Sequence, residues 1–176
     1  MSVTETTSGV SFALSDEQRA LRELAREFAE KEIRPVAADY DERSQHPAKV
    51  LAAAHEVGLM NPHVPEEYGG AGLPAFEQIL IGEELAWGCS GIATSMVANI
   101  LGSLPVLVAG TDEQKREWLP PLVEEPLLCS FALTEPGAGS DVSAIQTTAV
   151  RRGDEYVLNG SKIGRASCRE RVYGPV

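Results

Sequence analysis

The chain has 176 residues, 43% of them apolar and 23% charged, the proportions of an ordinary globular protein rather than a disordered or fibrous one. Its 26 acidic residues outnumber 15 Lys and Arg, leaving a net charge of −11. That excess argues against nucleic acid, whose phosphates need a clustered positive field, and against docking on anionic lipid. The length fits one domain, or one and a fraction. Three widely spaced cysteines, Cys89, Cys129 and Cys168, form no CxxC pair. A reducing compartment, the cytoplasm, is therefore expected rather than a disulfide framework. His46, His55 and His63 fall at no metal-ligand spacing, so no metal site is expected.

The first basic residue is Arg19 and no apolar run precedes it, so neither a secretory signal nor an Arg-rich transit peptide is expected. Residues 1–14 read as a flexible N-terminus. Ser15 and Gln18 form a capping box that opens a helix, with Asp16 and Glu17 at the positive end of its dipole. Leu21, Leu24, Phe28 and Ile33 recur near helical spacing until Pro35. A second helix runs from about Ala48, with Val50, Leu51, Ala54 and Val57 on one face and Gly58 as its terminator. The glycine-rich stretch from Pro65 to Gly72 must be irregular.

Helical patterns return over Ala75–Trp87 and Gly91–Val108. The second is apolar enough to invite a membrane reading. Thr94, Ser95, Asn99, Ser103 and Pro105 interrupt it, however, so a buried helix is expected and no membrane insertion. Thr111 and Gln114 repeat the capping-box spacing, opening a short helix that stops before Pro120-Pro121. After Pro126 the texture changes. Leu127–Leu133 is apolar but too short for a long helix, and Thr147–Val150 and Tyr156–Leu158 read as strands around a turn at Arg152-Gly153-Asp154. The fold class is thus mainly α: a helical bundle over 15–126, followed by the first strands of an incomplete β domain over 127–163.

The chemistry concentrates in Phe131-Ala-Leu-Thr-Glu-Pro-Gly-Ala-Gly-Ser-Asp-Val-Ser-Ala144. Small residues at Gly137 to Ser140 permit a ligand to come close, and exposed N–H groups there can hold a pyrophosphate without a cation. A plain strand-to-loop turn accounts for the same residues. The glycines do not form the dinucleotide-binding fingerprint, which needs a third glycine and a following helix.

The stretch from Ala132 to Ala144 resembles, position for position, the flavin loop of the acyl-CoA dehydrogenases. Similar wording recurs in order at Gly58-Leu-Met-Asn-Pro-His63, Val64-Pro-Glu-Glu-Tyr-Gly-Gly-Ala-Gly72, Glu83-Glu-Leu-Ala-Trp-Gly88 and Gly153-Asp-Glu-Tyr-Val-Leu-Asn-Gly160, with Lys162 after it. Glu124-Glu-Pro-Leu-Leu-Cys129 is most similar to the medium-chain type. The resemblance implies an FAD enzyme with helical, β and helical domains, assembled as a homotetramer. It implies oxidation of acyl-CoA between Cα and Cβ, as in fatty acid β-oxidation, with electron-transferring flavoprotein as acceptor. Phe131 then stands beside the flavin ring. Leu133 and Thr134 offer backbone groups, and Thr134 a hydroxyl, to its polar edge. Gly139 and Ser140 contact the cofactor's phosphates, and Ser140 also the CoA ester. Thr94, Val97 and Leu101 line the acyl pocket.

Plainer roles stay open for several of these. Phe131 serves equally as core, Thr134 as a hydroxyl bonding its own loop, and the helix of Val97 as a core helix. Glu135 and Asp141 read as loop-orienting rather than acid–base groups.

After Ile163 the resemblance expects Trp-Ile-Thr-Asn-Gly, whereas this chain has Gly164, Arg165 and Ala166 in the first three of those places. Residues 164–176, with three Arg and one Glu, read as a non-family tail. The catalytic carboxylate implied by the resemblance lies in a region with no counterpart here. Glu83, Glu84 and Glu135 all occupy the wrong part of the pattern, so no catalytic residue is nominated. The expectation is a record cut short at Gly164, whose 176 residues alone neither bind FAD tightly nor turn over acyl-CoA. Two rivals remain: a flavin oxidase or monooxygenase on the same scaffold, and a non-catalytic helical interaction domain.

Overall fold

A computed structural model describes residues 13–163. The N-terminal stretch through Phe12 and the tail from Gly164 to Val176 lie outside the described residues. The first helix, α1 (Asp16–Phe28), opens on the expected capping box: Ser15 Oγ accepts from the Gln18 amide and the Gln18 side chain from the Ser15 amide. It runs on as one wide π turn, Ala29–Ile33, where Arg34 N–H reaches back to Ala29 C=O, and Pro35 ends it. A short α2 (Ala37–Glu42) and α3 (Ala48–Glu56) follow. Gly58, just past α3, has φ +74, the left-handed conformation that terminates helices.

Helix α4 (Ala75–Gly88) packs along α1 and carries α5 (Ser90–Val97) behind it. The core forms where α1, α3, α4 and α5 converge. Phe28, Ala29 and Ile33 meet Val50 and Leu51, Ile81 and Leu85, and Ile92 and Met96. Each fully buried aliphatic side chain here is worth about 1.5–3 kcal/mol. Leu24 and Val57, placed by their spacing with the apolar faces, are exposed.

Three differences from the sequence reading have physical causes. The run from Gly91 to Val108 is two helices, not one: the chain breaks at Ala98 and α6 (Asn99–Ala109) begins with a buried asparagine. The side chain of Asn99 bonds to the segment after Pro126, which fixes where α6 starts. The expected burial is also one-sided. Ile92, Ala93, Met96, Asn99 and Ser103 face the bundle, while Val97, Leu101, Leu104 and Val108 form an exposed stripe at helical spacing. Finally, Pro120-Pro121 starts a helix as well as ending one. After α7 (Asp112–Trp118), capped by Thr111 and Gln114, the prolines occupy the first turn of α8 (Pro120–Glu124), where a missing N–H costs nothing.

The remainder, Glu125–Ile163, has little regular structure. Its two strands, β1 (Thr148–Arg152) and β2 (Glu155–Asn159), pair antiparallel from Thr148↔Asn159 to Arg152↔Glu155 around Gly153-Asp154. Only Val157 is even half-buried among the ten strand residues. A ribbon of this kind is marginal on its own.

Candidate functional site

The signature loop is a tight turn held by a buried carboxylate. Glu135 and Ala138 exchange backbone hydrogen bonds of 3.0 and 3.1 Å across Pro136-Gly137, with proline in the position where its fixed φ suits the turn. Glu135 itself is 6% exposed. Its Oε2 accepts from the Gln146 amide at 2.8 Å, and its Oε1 from the Thr147 amide at 3.0 Å and Lys162 Nζ at 2.8 Å. These bonds, the Gln146 amide foremost, hold its pKa down to about 2. A carboxylate so placed cannot accept a substrate proton near neutral pH. Glu135 therefore staples three points of the chain together. Asp141 also acts locally, accepting from the Ser143 amide and hydroxyl to start a short 3-10 turn, Val142–Ala144.

Phe131, Leu133, Thr134, Gly139 and Ser140 all sit on the exposed side of this staple. Phe131 is 47% exposed, so the core role left open for it is not the one it takes here. The carbonyls of Leu133 and Thr134 are already used, by Lys162 Nζ at 3.0 Å and the Ile163 amide at 2.6 Å. The N–H groups are not. Among the described residues, the amides of Leu133, Thr134, Gly139 and Ser140 and the Thr134 hydroxyl find no partner. What the loop offers a ligand is thus a row of donors, suited to the acceptor edge of a flavin ring and to phosphate oxygens. The residues present fit FAD on that account.

The acyl-side residues divide. Val97 lines an apolar cleft of about 300 Å³ together with Leu59, Pro62, Ile79, Met96 and Ile100. Thr94 and Leu101 do not line this cleft; Thr94 turns its hydroxyl back to Ser90 C=O at 2.7 Å, and Leu101 is 55% exposed. None of the loop residues 131–144 borders the cleft. Two of its polar lining residues, Asn61 and His63, stood in the sequence as part of the Gly58–His63 stretch and were given no site role. Asn61, in the left-handed region at φ 54, is buried and donates to Leu122 C=O at 2.6 Å. His63 Nε2 meets Ser103 Oγ at 2.6 Å, and burial pushes its pKa below the usual histidine value. Both stand in the stretch Asn61-Pro-His63, where a polar pair flanks proline between apolar residues; that contrast was the available signal.

The N-terminal domain model of the acyl-CoA dehydrogenases matches residues 15–126, and their middle domain model matches residues 130–169. The chain belongs to the acyl-CoA dehydrogenase family. The middle-domain match runs six residues past Ile163. A probable medium-chain specific acyl-CoA dehydrogenase of Caenorhabditis briggsae, described as mitochondrial, is 41% identical over 156 residues, covering 89% of this chain and 38% of that protein. An acyl-CoA dehydrogenase from Bacillus anthracis, solved in complex with FAD, superposes with TM-score 0.78 at 35% identity, covering 88% of this chain and 27% of that one. A structure reported for the electron-transferring flavoprotein of Acidaminococcus fermentans superposes with TM-score 0.82 at 41% identity, over 88% of this chain and 41% of that one. The chain spans about two fifths of the length of the curated relatives it matches. The family architecture, a helical N-terminal domain followed by the start of a β domain, agrees with the fold described above.

Proposed function

We propose that this chain supplies the helical wall and one side of the flavin seat in FAD-dependent α,β-dehydrogenation of acyl-CoA thioesters, with medium-chain acyl groups as substrates. The carrying observation is that, among the described residues, the amides of Leu133, Thr134, Gly139 and Ser140 and the Thr134 hydroxyl stand unpartnered on the outer side of the Glu135 staple. Leu133 and Thr134 hold the polar edge of the ring through their amides, and Thr134 adds its hydroxyl. Phe131 covers the ring's flank, and Gly139 and Ser140 receive phosphate oxygens. When bound, FAD supplies the acceptor for the β-hydrogen, which leaves as hydride while a carboxylate takes the α-proton. This chain's part is to orient the Cα–Cβ bond and exclude water. Val97 contributes to the apolar wall of the acyl pocket, Thr94 and Leu101 its exposed continuation, and Ser140 reaches the CoA ester.

No acidic residue of this chain is proposed as the base. Glu84 is buried against Arg26, Nε to Oε2 2.6 Å, and Glu135 is committed to its staple. The relative named for medium-chain substrates supports the acyl class, and the flavoprotein structure supports an electron-transferring flavoprotein as acceptor. A homotetramer and a cytoplasmic location complete the proposal.

The test uses the 176-residue chain with 15N labelling. Millimolar FAD is expected to shift the amides of residues 131–140, without a tight flavin spectrum and without dye reduction by octanoyl-CoA. Shifts scattered elsewhere, or none, would remove the flavin reading. Tight FAD uptake with turnover would overturn the assignment of the base to other residues. One observation favours a second reading: the exposed stripe Val97, Leu101, Leu104 and Val108 is a surface for a helical partner. A monodisperse, flavin-indifferent monomer would favour it.

A further inference from the structure

Asn99 is 1% exposed in the middle of an apolar run, where a primary amide is tolerated only if both donor and acceptor are satisfied. Both partners lie on one short segment. Asn99 Nδ2 donates to Leu127 C=O at 2.8 Å, and Asn99 Oδ1 accepts from the Cys129 amide at 3.0 Å. The carbonyl of one residue and the amide two residues later project from the same edge of an extended chain. The Asn99 side chain thus takes the place of a neighbouring strand for residues that pair with no strand among the described residues. Its own main-chain carbonyl accepts from Cys129 Sγ at 3.1 Å and from the Ser103 hydroxyl at 2.9 Å. His63 Nε2 meets the same Ser103 hydroxyl at 2.6 Å.

The approach is as close as the chemistry allows. A Cβ placed on Gly102, one turn along α6, would stand 2.7 Å from Cys129 Sγ and 2.9 Å from the Ser130 nitrogen. Any side chain there would push the segment off the helix.

We propose that Asn99 is a positioning residue for the flavin loop: its amide clamps Leu127–Cys129 on α6 and so places the donors of Leu133 and Thr134, which begin four residues later. The inference rests on the flavin reading of that loop. It assigns Asn99 no contact with cofactor or substrate.

The full chain, 15N-labelled, is compared with Asn99→Leu and Asn99→Asp by amide hydrogen exchange and by the shifts that millimolar FAD induces. In Asn99→Leu, protection of the Cys129 amide falls by roughly tenfold. The FAD-induced shifts at Leu133 and Thr134 shrink, and protection in α1 and α4 is unchanged. Asn99→Asp is isosteric and keeps the test open if Asn99→Leu fails to fold. At neutral pH the introduced carboxylate accepts but cannot donate, and protection falls. At pH near 5 a buried carboxyl is protonated, donates to Leu127 C=O, and restores both protection and shifts. A mere packing defect gives no such rescue. The titratable neighbours are His63 and Cys129, so the wild type is measured at each pH.

Unchanged protection of the Cys129 amide in both variants overturns the proposal. FAD-induced shifts present in the wild type and undiminished in Asn99→Leu overturn the positioning role alone. A wild type with no FAD-induced shift overturns the flavin reading and the positioning role with it.

Discussion

The helical bundle and the segment from Glu125 to Ile163 are held by different forces. In the bundle, Ile33, Leu51, Leu85 and Met96 are almost wholly enclosed, and stability comes from apolar area removed from water. Beyond Glu125, Ala138 is the one buried hydrophobic residue described, and order comes from a few polar clamps: Asn99 on the incoming segment, Glu135 across the turn, Lys162 on the far side. Burial is non-directional and adds over many residues. A polar clamp acts at one point and fails at one point. The part of the chain that presents the candidate flavin donors is therefore the part whose order can be switched by a single group.

The contrast can be broken first at its strongest place. Leu85→Ala removes a fully buried side chain between α4 and α1 and should cost about 2–5 kcal/mol of global stability, read as a lowered denaturant midpoint. The loop amides should change only as the whole molecule unfolds. Acid should do the reverse. The folded pKa of Glu135 is depressed, so its contribution is complete above the ordinary carboxylate value of 4.5 and disappears as pH falls toward about 2. Protection of the Gln146 and Thr147 amides should fade across that window while the bundle's far-UV dichroism holds; simultaneous loss of both would erase the distinction.

Ser15→Ala removes one half of a capping box and should cost about 1 kcal/mol, all of it in the bundle's transition. Tyr156→Ser, on the exposed ribbon, should move that transition by less than about 0.5 kcal/mol. A larger effect would show that β2 supports the bundle.

Local chemistry made much of this legible. Ser15 with Gln18, Thr111 with Gln114, Gly58 after α3 and Gly153-Asp154 in the hairpin all behave as their residue types require, because caps and turns are settled by neighbours in sequence. What stayed hidden depends on partners far along the chain. The break at Ala98 follows from Asn99 bonding to Leu127 and Cys129, about thirty residues away, which periodicity cannot see. The exposed stripe of α5 and α6 was invisible for a related reason: apolar spacing shows that a face exists, not which elements cover it. In the loop, Glu135 was readable as structural, but its partners at Gln146, Thr147 and Lys162 were not. Nor did the sequence indicate that the Leu133 and Thr134 carbonyls are spent and only their amides remain.

The Lys162–Glu135 bridge closes the intervening chain into a ring, with the hairpin hanging from it as a tassel. Ring closure grows costly only slowly with contour length, by about 0.6 kcal/mol for each doubling. Extra residues spliced between Gly153 and Asp154 should therefore leave the donor row where it is. One residue added between Glu135 and Thr147 would instead pull the carboxylate away from the amides it gathers. The same loop thus offers one place that tolerates insertion, for a tag or a reporter, and another that does not.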